Sequence, residues 1–508
     1  NFPGTAYTGY MAYGLFARGA YAEVGNSGSI LAEGNYYANG IIARSTDGTT
    51  VATTAGSEIE ATAQLVAIGI EARAEDGDVV VQNGGDITVE GTYGGGVGVQ
   101  AYSLMGDVSV ASGGDVAATS TYGMAIGLSG YSIYANTAVS NSGSVQASGD
   151  IGAYGISALS YLGDVTVTNT GEVSAESPAT AIAIIADAYG DVTIGNTGDI
   201  TASADAGGLA AAVSMTSATG TSTLNNAASG NISVAQGAYA VLGSEAEDTI
   251  NNAGEITGSI SLYGGDDTIN NGSGGLLDLT AATLDLGDGD DAINNLAGGT
   301  VLLNDSVITL GDGSGSEAFA NAGTLTTQGY GLIDMGGGAL TNTGMIDFLD
   351  GAPDDVLVIE GDLAGTGSIN LDLSLLNQTS DLLYVDGDVA SNTVQTVNVD
   401  FPGAPTTAST SVEFAYVSGT SVTSNFVGGE VIGWGPANFL DLDVSVTSDI
   451  DASNATDDVF LVNVDVVGLN DAGTLAANVA TGAAGMLNAQ VGTFKQRMGV
   501  NPYGDAGK

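Results

Sequence analysis

The sequence predicts an all-β chain wound into a parallel β-helix, a three-sided solenoid with a short helix near its C-terminus. Three observations carry this: a phrase that returns every 27 to 29 residues, three short alternating segments in each return, and Gly, Asn and Asp between the segments. The glycine of an Asn-x-Gly-x-Ile/Val phrase falls at Gly28, Gly56, Gly85, Gly114, Gly143, Gly171 and Gly198. A second phrase, Ala-x-Gly-Ile-x-Ala, keeps step at Gly14, Gly40, Gly69, Gly98, Gly127 and Gly155, and Gly-Asp-Val-x-Val appears at Gly77, Gly106, Gly163 and Gly190. Later copies are tighter: NAGEI at Gly254, NAGTL at Gly323 and NTGMI at Gly344.

Each repeat can be read element by element. Around Val81–Val110 the segments DVVV, DITV and GVGV alternate apolar and polar residues, which is the period of a strand and not of a helix. The residues between them tolerate positive φ and are expected where the chain corners. Three strands per repeat of this length describe a β-helix whose turns pair at about 4.8 Å. Val, Ile, Leu and Ala then point into a narrow core and Thr, Ser and Asp point out. A propeller blade needs four strands and about 40 residues, so it fits less well.

Charge narrows the function. The 508 residues hold 58 Asp and Glu against 6 Lys and Arg, a net charge of −52, and no Lys or Arg lies between Arg73 and Lys495. Such a surface repels nucleic acid and anionic lipid, and attracts divalent cations or basic partners. Nucleic-acid binding is excluded. Zero cysteine suits a chain that crosses a membrane unfolded. The start at Asn1 fits a removed signal peptide or a fragment. No run of 18 apolar residues occurs, so no helical span is expected.

The chain changes character twice. Repetitive rungs occupy 1–346, with more acidic corners from about Asn226 (SEAEDTINN, GGDDTINN, GDGDDAINN). Residues 347–468 carry longer strands, denser in Leu and Val. Residues 469–508 differ in kind: Leu475, Val479, Ala483, Leu487, Val491 and Phe494 recur at helical spacing. Asp471 or Thr474 is expected to cap that helix, and Lys495 and Arg497 suit its C-terminal end.

This order resembles the passenger region of bacterial autotransporters. The resemblance is strongest over 354–497, where GDLAGTGSINLDL and SDLLYVDGDVAS are similar to the pertactin-like end of a passenger, and the helix ending FKQRMG to the linker that threads the barrel. It implies a right-handed β-helix, export through an outer-membrane β-barrel, an autochaperone-like segment at 347–468 and a helical linker at 469–508. It also implies an extracellular or bacterial cell-surface (outer-membrane) location. The chain departs from the full pattern in having no barrel strands before Lys508. The function expected is structural and adhesive: self-association, an extracellular fibre or coat, or attachment to a host or neighbouring cell surface.

Two sets of residues stand out. Asp248, Asp267, Asp291 and Glu317 recur at one turn position, 19, 24 and 26 residues apart. Gly-x-Asp-x-Ile is half of a calcium-binding nonapeptide, so stacked carboxylates make a candidate Ca²⁺ column. The alternative is that each Asp caps its own turn by local hydrogen bonds. Arg18, Arg44 and Arg73 each follow the glycine of the second phrase by four residues, and Tyr102 and Tyr131 continue that column. Beside the tyrosines at 7, 10, 13, 21, 36 and 37 they form a candidate partner-binding stripe. The alternative is a ladder in which each Arg pairs with a local acid, Glu23, Glu71 or Glu75.

Catalysis is not expected. Without His or Cys the common nucleophilic schemes fail. Asp354/Asp355 and Asp457/Asp458 are adjacent on strands, so their side chains face opposite ways. A glycan-active enzyme on the same scaffold is the alternative function.

Overall fold

The computed structural model describes residues 9–497, apart from 312, 314, 315, 404, 406, 435–437 and 451–456, and apart from the side chains of 492–497. Tyr7, Lys508 and the side chains of Phe494, Lys495 and Arg497 lie outside the described residues.

The alternating segments are strands, three to a turn. One turn consists of Gly95–Ser103, Val108–Ser112 and Val116–Ser120, and the next of Met124–Ser132, Thr137–Asn141 and Ser144–Gly149. Each strand pairs in parallel with its equivalent one turn on: Val99 with Leu128, Val110 with Val139, Val116 with Val145. These strands define a first, second and third face, and about 15 turns stack to make the solenoid. Inward side chains form unbroken columns. On the second face one column runs from Val51 through Val81, Val110, Val139, Val167, Ile194 and Leu224 to Ile250, Ile269, Ile293, Phe319 and Leu340, all buried. Each such side chain contributes about 1.5–3 kcal/mol of burial, and the column is continuous because the register never slips within it.

The recurring glycines have a different cause from the one expected. In the Asn-x-Gly column only Gly56 has a positive φ, 80°. At Gly114 a Cβ would lie 2.1 Å from Gly85 O one turn back, so close stacking excludes a side chain there. Gly98 is not at a corner at all. It lies inside the strand Gly95–Ser103, where two successive residues, Gly98 and Val99, are buried and the alternation breaks. A Cβ on Gly98 would lie 2.3 Å from Val116 Cγ1 and 2.5 Å from Gly127 O. The first face therefore bends, and Ala183 and Ala212 take the same position in later turns.

The two ends differ. At the C-terminal end Ser409–Val417 pairs antiparallel with Asp458–Leu469, which pairs antiparallel with Leu440–Asp449. Phe414, Phe426 and Phe460 pack edge to face beneath them, with ring centres 5.6 and 4.6 Å apart. At the other end the 18-residue strand Gly9–Asn26 pairs on one side with the chain after it, at Gly34–Thr53. A helix spans Asp471–Arg497. Its cap is neither Asp471 nor Thr474 but Asn470, whose Oδ1 accepts the Gly473 N–H at 2.9 Å. Leu475, Val479, Leu487 and Val491 on this helix are exposed. Among the described residues no helix is long and apolar enough to cross a membrane.

Candidate functional site

The arginine column forms as the spacing predicts. Arg18 pairs in register with Arg44, Arg44 with Arg73, Arg73 with Tyr102, and Tyr102 with Tyr131, all pointing outward from the first face. One acid organises it. Glu71, two residues before Arg73 on the same strand, is buried, and its Oε1 lies 2.6 Å from Arg44 Nη2 and 2.8 Å from Arg73 Nε. Its Oε2 accepts a hydrogen bond from Asn39 Nδ2 at 3.0 Å. Of the three acids expected to pair locally, Glu71 takes two arginines; Glu23 and Glu75 form no ion pair among the described residues. Arg44 and Arg73 keep nearly half of their side chains exposed, and Arg18 has no ion-pair partner among the described residues. These guanidinium groups, with Ser45, Glu75 and Tyr102, line a groove of about 380 Å³. The ring of Tyr102 lies 5.6 Å, centre to centre, from that of Tyr131 on the next turn. Fixed guanidinium groups beside aromatic faces can hold a carboxylate and the apolar body that carries it.

The column of acids also forms, but inside the wall. Asp248, Asp267, Asp291 and Glu317 occupy the first inward position of the second face and are buried. One turn earlier that position is Ser222, which pairs in register with Asp248. Asp248 accepts the Ser244 N–H on Oδ2 at 2.7 Å, a local bond of the kind expected for a turn cap. The others reach across a turn: Asp267 Oδ1 accepts the Asp248 N–H at 2.7 Å, and Asp291 Oδ1 accepts the Asp267 N–H at 2.8 Å. Burial raises all three carboxyls, Asp248 to about 7, Asp267 to about 8 and Asp291 to about 6, against the opposing pull of the amides. Neighbouring acids add to the rise at Asp267 and Asp291. The groups stand in single file, and among the described residues no three acids converge as a metal cage would require.

Several features were not read from the sequence. The last inward position of the second face holds a buried ladder of amides. Asn141, Asn169, Asn196, Asn226, Asn252, Asn271, Asn295, Asn321 and Asn342 each donate Nδ2 to the next side-chain oxygen at 2.7–3.0 Å, ending on Gln395 Oε1. The signal was present as an Asn at each turn, but its inward direction depends on a corner whose shape the sequence does not give. Exposed acids are laddered too. Asp78 accepts the Asp107 N–H at 2.9 Å, and Asp164 the Asp191 N–H at 2.9 Å. A second buried acid group gathers Asp355, Asp372 and Asp381 near the C-terminal end. Asp381 accepts the N–H of both of its companions, and burial pushes it up to about 8. Asp354 is exposed and Asp355 buried, but the pair lies in the turn before the strand Val356–Ala364 and not on a strand as expected. No protein-family model and no curated protein is similar to the chain.

Proposed function

We propose that the chain is an exported cell-surface rod with a structural and adhesive role, joining further copies of itself or a neighbouring cell through its N-terminal end. The observation that carries this reading is the contrast between the two ends. The C-terminal end lies under antiparallel strands and an aromatic plug, whereas the first strand has no second neighbour among the described residues. That strand is long and carries Tyr10, Tyr13, Phe16 and Tyr21 exposed. An open apolar edge of this length pairs with another chain unless something covers it. The three arginines stand on the same end of a molecule of net charge −52, so a second copy, or any acidic surface, is drawn to it. Export through an outer-membrane barrel follows from the resemblance to autotransporter passengers and agrees with the absence of cysteine. A non-catalytic role belongs to the same proposal, because the exposed Asp columns are engaged with the amides of adjacent turns.

Electron microscopy of the purified chain, beside a variant with Tyr10, Phe16 and Tyr21 all changed to Ser, tests the reading. End-to-end rods or filaments for the parent, and single rods for the variant, are expected. Single rods for both would overturn self-association. Equal attachment of labelled parent and variant to bacterial cells would overturn the N-terminal end as the adhesive surface.

A further inference from the structure

Two ladders run along the same strands of the second face, four residues apart. Asp248–Asn252 has an acid at its first inward position and an amide at its last, and Asp267 to Asn271 and Asp291 to Asn295 repeat the arrangement. The amide ladder is complete, because an Asn brings both a donor and an acceptor. The acid column has the same stacking, but its acids bring no donor of their own when ionised. Asp267 Oδ2 and Asp291 Oδ2 are buried with no partner, and Asp248 Oδ1 faces only the Ser222 hydroxyl, outside good hydrogen-bond geometry. In each of the three acids the other oxygen already accepts a backbone N–H.

We propose that Asp248, Asp267 and Asp291 bind protons, and that the resulting carboxylic acids hydrogen-bond from turn to turn through these orphaned oxygens, as the asparagines do beside them. A proton supplies the donor that an ionised carboxylate cannot. The surroundings favour it. Asp267 faces Asp248, Asp291 and Asp266, and Asp291 faces Glu317, Asp266 and Asp290, all of one sign. Asp248 faces Ser222 and the Ser244 amide, with Leu262 packed at the adjacent Gly243. No Lys or Arg lies within 74–494 to take the protons' place. The segment from Asp248 to Asn295 is thus a proton-binding ladder that tightens in acid and loosens as its acids ionise. The sign follows from linkage: a carboxyl held above its unfolded value contributes most below the unfolded value, and the contribution is lost as pH rises through the folded one, here across about pH 4 to 8. This inference is independent of adhesion at the N-terminal end.

Amide hydrogen exchange on the full chain at pH 5 and pH 8, corrected for intrinsic exchange, tests it. Protection in 248–252, 268–271 and 292–295 is expected to fall by roughly tenfold to a hundredfold at pH 8. Protection at Val139 and Val167, where the same strands carry no acid, is expected to stay constant. Asp267→Asn supplies a permanent donor and is expected to protect these amides at pH 8 as the parent protects them at pH 5; Asp291→Asn serves equally if the first variant fails to fold. Protection independent of pH would overturn the proposal, as would undiminished pH dependence in the Asn variant. If millimolar calcium restores protection at pH 8 in the parent and not in the variant, the column holds a cation and the proton ladder is overturned.

Discussion

Asn196 Nδ2 donates to Asn226 Oδ1 at 2.9 Å across a whole turn of the solenoid, and both side chains are buried. Asn226 continues to Asn252 Oδ1 at 2.9 Å and also donates to Glu255 O at 3.1 Å. Changing Asn226 to Ala removes these bonds and orphans Asn252 Oδ1 in a region that water does not reach. A loss of about 2–4 kcal/mol is expected in the local opening of these turns. The outward Asn251, which donates to Asn225 at 3.0 Å and accepts from Asn270 at 2.9 Å, makes similar bonds nearer solvent, where water can replace them. Asn251→Ala is therefore expected to cost only about 0.5 kcal/mol. Hydrogen exchange suits both measurements, since a repeat stack opens locally.

The bend of the first face makes a second prediction. Gly98→Ala pushes a methyl group into Gly127 O and Val116 Cγ1, and neither the backbone oxygen nor the packed valine can move aside cheaply. Destabilisation of about 1–3 kcal/mol is expected, read as a lower midpoint in urea unfolding. Ala183→Gly, at the equivalent position of a later turn, removes a methyl group where one already fits. About 0.5–1 kcal/mol is expected from chain entropy alone. Equal losses for the two would mean that the bend is alike in both turns.

How far these features could be read in advance depended on whether they were set by period or by direction. The stacking of Arg18 on Arg44 and Arg73 followed from counting, because a fixed repeat puts equal offsets in one column. The inward facing of Asp248 could not be counted. Asp266 and Asp267 are adjacent acids in one corner; the first is exposed and accepts the Asp290 N–H at 3.0 Å, while the second is buried. Which of the pair turns inward is decided by where the strand's alternation begins, and that is fixed by the turn's backbone. Gly98 shows the same limit. Its repetition was plain, but its cause is a steric approach between turns that no local pattern encodes.

Glu71 holds Arg44 and Arg73 together on a face where each would otherwise extend into water. Glu71→Gln keeps the shape, removes the charge, and replaces an acceptor by a donor opposite guanidinium N–H groups or Asn39. Because both arginines are half exposed, they can recover hydration, so the loss is expected to be about 1–3 kcal/mol, below that of a fully buried pair. The groove should respond more than the fold. With one negative charge fewer beside the arginines, binding of a carboxylate-rich polymer such as polyglutamate, measured by calorimetry at low salt, is expected to strengthen in this variant and to weaken in the parent as salt rises. Binding unchanged by the substitution would show that the arginines paired to Glu71 do not take part.

Asp381 is the counterpart of the acid column, with the opposite response to an amide. Its Oδ1 accepts the Asp355 N–H at 3.1 Å and its Oδ2 the Asp372 N–H at 2.7 Å, and a carboxyl group, ionised or protonated, keeps a lone pair on each oxygen for these two donors. An Asn at 381 can accept only one of these, and its NH₂ must face the other N–H. Asp381→Asn is expected to cost about 1–3 kcal/mol at pH 6, where the same change at Asp267 costs little. Burial pushes the Asp381 carboxyl up to about 8 in spite of the two amides. In the parent, the stability that this group contributes is fully present below about pH 4 and is lost as pH rises through about 8, so the C-terminal turns open more readily at pH 9 than at pH 6. The variant should lose that slope while remaining less protected at pH 6. Exchange of the Asp355 and Asp372 amide protons reads both hydrogen bonds directly. Unchanged protection of the two amides in the variant would mean that Asp381 does not hold them.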